Sequence, residues 1–164
     1  MNHRLQGKLL HQPYSHMILC SKRMPQGKGL AKVLVQRAPC ITLDWDTRQK
    51  SRFDATDSTG RQLGVFLPRG TVVRGGEWLA GPGLTVQVLA AEEDLIDVRS
   101  NTPLKLLRAA YHLGNRHIPV QVSSDFLRLG WDSVLADMLI GLGLNIERLS
   151  ASFEPEAGAY AHGA

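Results

Sequence analysis

Three observations predict two domains: a small all-β unit, then an α+β unit, with a flexible tail behind them. From Val33 to Ala90 short alternating apolar runs are broken by turn residues roughly every eight to twelve positions, the rhythm of a compact β sandwich or barrel. From Leu95 to Leu149 strand-like and helix-like stretches follow the order β-α-β-β-α-β, which is the ferredoxin-like arrangement. Beyond Ser150 periodicity disappears. The domains so delimited are residues 31–93 and 94–150, flanked by a poorly ordered extension, 1–30, and the tail, 151–164.

The 164 residues suffice for one ordinary domain or two small ones, and 43% hydrophobic with 21% charged content describes a folded chain. The formal charge is +4, and basic residues are scattered through the first part of the chain without a long Lys/Arg run. Solvated charge is therefore the default over a nucleic-acid arm. No apolar run approaches the roughly 18 residues of a membrane span. Met17-Ile18-Leu19-Cys20 is too brief for a signal peptide's apolar core. Cys20 and Cys40 make neither a disulfide framework nor a CxxC site, which suits a reducing cytoplasm. A metal role for Cys20 beside His16 is the lesser alternative to two unrelated thiols.

The first stretch carries His3, His11 and His16 among Pro13, Pro25, Gly27 and Gly29, so a loosely structured extension is expected. Val33-Leu34-Val35 and Ile41-Thr42-Leu43-Asp44-Trp45 have strand composition. Arg48 to Thr56 runs into Asp57-Ser58-Thr59-Gly60, a hairpin connection with glycine available for positive φ. Arg61 to Leu67 comes back and Pro68 stops it. Arg69 to Leu79 reads as a short strand, a tight turn at Gly75-Gly76 and a return. Leu84 to Ala90 is the longest strand candidate here. No nucleophile is paired with a base and no glycine spacing fits a phosphate loop, so this module suits partner binding better than catalysis.

Ala91-Glu92-Glu93-Asp94 is an acidic joint, and Leu95 to Arg99 the next strand. Thr102 is read as an N-cap with Pro103 at the first helical position. Leu104, Leu107, Ala110 and Tyr111 recur at helical spacing, and Gly114 or Asn115 closes the helix. His117 to Val122 and Phe126 to Leu129 are strands. Asp132 caps a second helix with Val134, Leu135, Met138 and Leu139 on one face, ended at Gly141 to Gly143. Leu144 to Leu149 is the last strand. Helices cover one face of such a sheet and leave the other free to meet a partner.

His112 and His117 straddle the point where helix gives way to strand. A side chain held by backbone on both sides suits a metal ligand, and imidazole suits Ni(II), Zn(II) and Cu(II). The competing reading is a histidine that merely interacts with the last carbonyls and the helix dipole. His162 in the tail is either a ligand or a solvated residue. Glu154 and Glu156 offer oxygen, but beside Pro155 a solvated tail is the simpler reading. A hydrolytic metalloenzyme needs three protein ligands and a placed base, and no HExxH motif occurs, so no catalytic residue is assigned. Phe126 is the only aromatic in the predicted sheet strands, short of an RNA-binding stacking platform, and nucleic acid is not expected as a partner.

The stretch Tyr111-His112-Leu113-Gly114-Asn115-Arg116-His117-Ile118-Pro119-Val120-Gln121 closely resembles the signature of urease accessory protein E, a nickel chaperone of urease assembly. Arg48-Gln49-Lys50-Ser51-Arg52 with Gly64-Val65-Phe66-Leu67-Pro68-Arg69-Gly70-Thr71 agrees as well, as does Phe153-Glu154-Pro155-Glu156-Ala157-Gly158-Ala159-Tyr160. The motifs stand in the family's order. The resemblance implies a metallochaperone rather than an enzyme, with a partner-binding β domain and a ferredoxin-like metal-binding domain. It further implies a cytoplasmic homodimer joined through the C-terminal domains, with His117 at the two-fold axis binding Ni(II) together with its copy. The implied partners are the urease apoprotein and the other urease accessory proteins, including the GTPase, with no membrane. Zn(II) and Cu(II) are further candidate ions. His162 ranks second as a ligand and His112 third.

The chain departs from the family pattern in two places. Only His162 follows the Tyr160 motif, where many relatives carry a long histidine-rich tail. Gly130-Trp131-Asp132-Ser133 stands where some have extra histidines at the start of the second helix. One principal site is therefore expected rather than storage of several ions per dimer. The alternative function is a protein-interaction module whose β domain binds partners, with metal binding incidental.

Overall fold

A computed structural model describes residues 17–25 and 38–157. In chain order the first half contains β1 (Ile18–Cys20), β2 (Lys22–Met24), β3 (Cys40–Leu43), a single helical turn α1 (Trp45–Arg48), β4 (Arg52–Thr56), β5 (Gln62–Phe66), β6 (Trp78–Gly81) and β7 (Leu84–Ala90). They form two sheets, ordered β1-β5-β4 and β2-β6-β7-β3. Burial alternates along β7, turning Leu84, Val86 and Val88 inward, the pattern of a strand with one covered face. These side chains meet Leu63 and Val65 of β5 and Ile41 of β3, so both sheets share one core.

The β4–β5 hairpin pairs Phe53 with Val65 and turns at Gly60, whose φ is +86°. Asp57 fixes this turn. Its buried carboxylate accepts the Thr59 N–H at 2.8 Å and hydroxyl at 2.6 Å, and the Arg61 N–H at 3.1 Å and Nε at 2.7 Å. Burial by itself would raise the carboxyl pKa, but these donors outweigh it and lower the value to about 2.

Several boundaries differ from expectation. Residues 17–25, expected to belong to a loose extension, supply one strand to each sheet, and Cys20 is buried in the core. The strand expected at Val33-Leu34-Val35, like residues 1–16, lies outside the described residues. Strand β3 stops at Leu43 because the Asp44 side chain accepts the Thr47 N–H (2.8 Å) and caps α1. Arg48 therefore lies in a helical turn and β4 begins only at Arg52. The chain from Thr71 to Glu77, expected to include a short strand, is irregular, with a turn at Gly76 (φ +82°).

The second half contains β8 (Glu92–Arg99), α2 (Pro103–Asn115), β9 (Gln121–Val122), β10 (Leu127–Gly130), α3 (Ser133–Gly141) and β11 (Asn145–Ser152). The sheet order is β11-β8-β10-β9, every neighbouring pair antiparallel. Ala109 and Leu113 of α2 and Leu139 of α3 pack on Ile96, Val98, Leu127 and Leu129 of the sheet. The expected acidic joint is largely strand: Glu92, Glu93 and Asp94 pair with Ser152, Ala151 and Ser150 of β11. Pairing over the full length of β8 is what carries β11 past its expected end at Leu149.

Pro103 opens α2 as expected, but the Thr102 side chain makes no capping bond. At α3 the Asp132 carboxylate does cap, accepting the Leu135 N–H at 2.8 Å. The apolar face expected for α2 is mostly turned outward: Leu104, Leu107 and Tyr111 are 53%, 66% and 66% exposed. Val134 of α3 is likewise exposed. No helix among the described residues is long and apolar enough to cross a membrane.

A third apolar cluster joins the halves. Trp45 from α1, Leu95 from β8 and Phe153 after β11 are buried together, with Val72, Leu149 and Ala151 against them. The Trp45 and Phe153 rings meet edge to face at 6.3 Å and 77°.

Candidate metal site

Helix α2 ends in a Schellman motif built around a histidine. The His117 N–H donates to the Gly114 carbonyl (2.9 Å) and the Ile118 N–H to the Leu113 carbonyl (3.1 Å). Such a motif requires a left-handed residue just past the helix, and His117 takes it with φ +56°. Glycine ordinarily fills this position because a Cβ there costs on the order of 1 kcal/mol. Among the described residues His117 is the only non-glycine with positive φ. Ile118 packs into the core that holds Leu113, so the imidazole is presented from a backbone pinned on both sides. His117 itself is exposed.

Gly114 and Asn115, expected to close the helix, are its last two residues, and the left-handed turn follows at His117. The strand expected from His117 shortens to Gln121–Val122, because His117 is left-handed and Pro119 has no N–H to give a ladder. His112 is half-buried, its ring edge-on to Tyr111 at 5.5 Å, and its carbonyl accepts Arg116 Nη1 at 3.2 Å. His162 and the other three histidines, His3, His11 and His16, lie outside the described residues. Among the described residues no three His, Cys, Asp or Glu side chains gather into a ligand set. Burial pushes the Cys20 thiol pKa up, away from the thiolate a metal would need.

The segment after β11, expected to be loose tail, is docked through Glu156. Phe153 and Pro155 are buried, the Glu154 N–H donates to Gln121 Oε1 (3.0 Å), and the Glu156 N–H donates to the Val120 carbonyl (2.8 Å). The Glu154 carboxylate is engaged at both oxygens. Oε1 accepts Arg48 Nη1 at 2.5 Å and the Gly75 N–H at 2.7 Å, and Oε2 accepts Arg74 Nη1 at 3.3 Å. Neither a solvated residue nor a free oxygen ligand describes Glu154.

Arg48 is fully buried, a position a charge holds only when paired, and its remaining donors reach the Phe153 carbonyl (2.6 Å) and the Leu43 carbonyl (3.2 Å). Arg74 donates to the Pro155 carbonyl at 2.6 Å, and both guanidiniums stand over the Trp45 ring, at 5.3 and 4.9 Å. Glu93 completes the group: its Oε1 accepts the Trp45 N–H at 2.8 Å, and burial pushes its carboxyl pKa up. Two of the sequence motifs singled out above thus converge here, although Arg48 and Glu154 lie 106 positions apart.

Residues 20–91 match the family described as UreE urease accessory protein, N-terminal domain, and residues 93–164 the C-terminal domain of the same family. A urease accessory protein UreE of Paracidovorax citrulli is 55% identical over 152 residues, covering 90% of this chain and 72% of that protein. Those of Polaromonas sp. and Albidiferax ferrireducens are 53% and 55% identical over the same share of this chain, covering 69% and 87% of their own lengths. With both domains matched in order, the chain belongs to the UreE urease accessory protein family, a family of accessory chaperones and not of enzymes.

Proposed function

We propose that this protein is a nickel carrier for urease assembly, its cargo Ni(II) held by His117 of two copies of the chain across a two-fold contact. The observation that carries this reading is the strained, exposed His117 at a position made for glycine. Strain of this kind persists where a side chain is needed in one orientation. One imidazole is a poor site, and symmetry doubles it without further sequence. The exposed stripe Leu104, Leu107 and Tyr111 lies on the helix that ends at His117 and supports a homodimer through the C-terminal domains. The strand order β11-β8-β10-β9 supports naming that domain ferredoxin-like, with the division of the chain near residue 92.

Two imidazoles leave most coordination positions of Ni(II) open, to water or to His162 of the tail. An incompletely filled site suits a carrier, because ligands of an acceptor bind before the old ones leave. Imidazole also accommodates Zn(II) and Cu(II), and raw affinity favours Cu(II), so selectivity for nickel rests on geometry, supply and partners. The partners we assign are the urease apoprotein and the other urease accessory proteins, including the GTPase, in the cytoplasm.

A second reading, a partner-binding module with metal incidental, draws on the β domain. There Met17, Leu19 and Phe66 line a pocket of about 530 Å³ beside Arg52 and Asp54. Nickel titration with simultaneous mass determination separates the two. The carrier reading expects one tight ion per two chains, lost in His117→Ala with the dimer retained. It also expects affinity to fall in acid, because a protonated imidazole cannot ligate a metal ion. Unchanged nickel affinity in His117→Ala would end it.

A further inference from the structure

The outer face of the sheet β1-β5-β4 carries apolar side chains that the core does not use. Alternation along β5 turns Leu63 and Val65 inward, and the register places Leu19 and Asp54 on either side of Gly64, with Arg52 beside Phe66. Met17, Leu19 and Phe66 settle onto the bare Gly64 backbone. A Cβ there would stand 2.8 Å from Met17 Sδ, 3.1 Å from Leu19 Cδ2 and 3.2 Å from Phe66 Cε2. With Arg52, Phe53 and Asp54 these three side chains line the pocket of about 530 Å³, and Leu19 and Phe66 are exposed. One end of the pocket is cationic. The Arg52 guanidinium lies 5.8 Å from the centre of the Phe66 ring. The Ser51 carbonyl accepts the Leu67 N–H at 2.7 Å, so Lys50 and Arg69 flank the same end of the hairpin. Arg23, Arg48, Arg61 and Arg74 of this domain each pair with a carboxylate. Lys50, Arg52 and Arg69 have no such partner among the described residues.

We propose that this pocket docks an extended segment of a partner protein, which seats one large apolar side chain between Leu19 and Phe66 and sets a carboxylate against Arg52. The inference rests on the reading of the β domain as partner-binding, gives that reading a place and a ligand chemistry, and is independent of His117. Two features select this occupant. An apolar pocket with a few polar groups at its edge takes a side chain and fixes its orientation. Cations without internal partners are complemented by acid, which steers encounter and discriminates against basic segments. Along an extended chain, side chains two positions apart share a face at a spacing of about 7 Å. An apolar residue and an acid so spaced therefore reach the pocket and Arg52 together. Asp54, two residues along β4, disfavours a second acid at the opposite end.

The test is fluorescence anisotropy of the full-length chain with labelled Gly-Ser decapeptides that carry Leu-Ser-Glu, Leu-Ser-Lys or Ala-Ser-Glu at their centre. The Leu-Ser-Glu peptide should bind saturably, and roughly tenfold more tightly than either of the others. Phe66→Ala removes an exposed wall of the pocket and should weaken that binding roughly tenfold. Arg52→Glu should reverse the order, so that the Leu-Ser-Lys peptide binds the more tightly; a merely structural role for Arg52 would not give this exchange. No saturable binding, equal binding of the Ala-Ser-Glu peptide, or an affinity unchanged in both variants overturns the proposal. So does tighter binding of a DNA duplex or of phosphatidylglycerol vesicles, which would mark the cations as a general anionic surface. Urease apoprotein held with equal affinity by the native chain and both variants overturns this pocket while the β-domain reading stands. Nickel affinity should be unaltered in Phe66→Ala, which keeps the outcome apart from that of His117→Ala.

Discussion

At position 117 two demands compete on the proposed function, since the Schellman turn asks for glycine and a metal site would ask for imidazole. His117→Gly isolates them. Removing the Cβ from a left-handed residue should stabilise the fold by about 1 kcal/mol, raising the thermal midpoint by roughly 2–4 °C, while the tight nickel site disappears. A lower midpoint by circular dichroism would mean that the side chain holds the turn in place and is not strained by it. From residue types alone this histidine was legible as a candidate, but the reason for its prominence was not. Gly114-Asn115 offers the commoner way to end a helix, and no local pattern announces that the chain continues one residue further before turning. Glu154 was hidden for a different reason. A glutamate beside proline near the end of a chain reads as solvated, and its partners Arg48, Arg74 and Gly75 come from the other end of the sequence.

At the scale of elements, a helix is recognised by its period, while the face it buries depends on how many neighbours it has. Leu104, Leu107 and Tyr111 keep helical spacing, yet the sheet needs only Ala109 and Leu113 with Leu106 and Ala110 beside them. Two apolar faces on one helix suit two neighbours, one in this chain and, in the homodimer proposed above, one in its copy. If the proposed homodimer forms through this stripe, Leu107→Asp should convert it to monomer without loss of helix, read by sedimentation equilibrium and far-ultraviolet circular dichroism. A dimer that persists at micromolar concentration would move the contact elsewhere. Elements whose ends are set by their own residues were legible: β7 runs from Leu84 to Ala90 as its alternation dictates, and α3 starts at the Asp132 cap. Elements whose ends are set by a partner were not. β8 begins at Glu92 because β11 lies beside it, although Glu92-Glu93-Asp94 looks like a solvated joint.

At the scale of the molecule, the question is whether the β domain and the C-terminal domain respond to one another. Ala91 alone separates β7 from β8, but one residue of linker does not couple two units mechanically. Coupling comes from the cluster of Trp45, Leu95 and Phe153, walled by the buried Arg48 and closed by Glu154. Phe153 is its keystone, 3% exposed and contributed by neither domain's core. Phe153→Ala should cost about 3–5 kcal/mol, the range for deleting a buried aromatic ring. That loss should fall on the junction while each domain keeps its own apolar core. The expected calorimetric signature is a transition that is single in the native protein and resolves into two in the variant, with the nickel-dependent shift confined to one of them. A single transition, moved down as a unit in Phe153→Ala and still shifted whole by nickel, would show that the halves communicate through β7, Ala91 and β8, and the segment after β11 would lose its place as the coupling element.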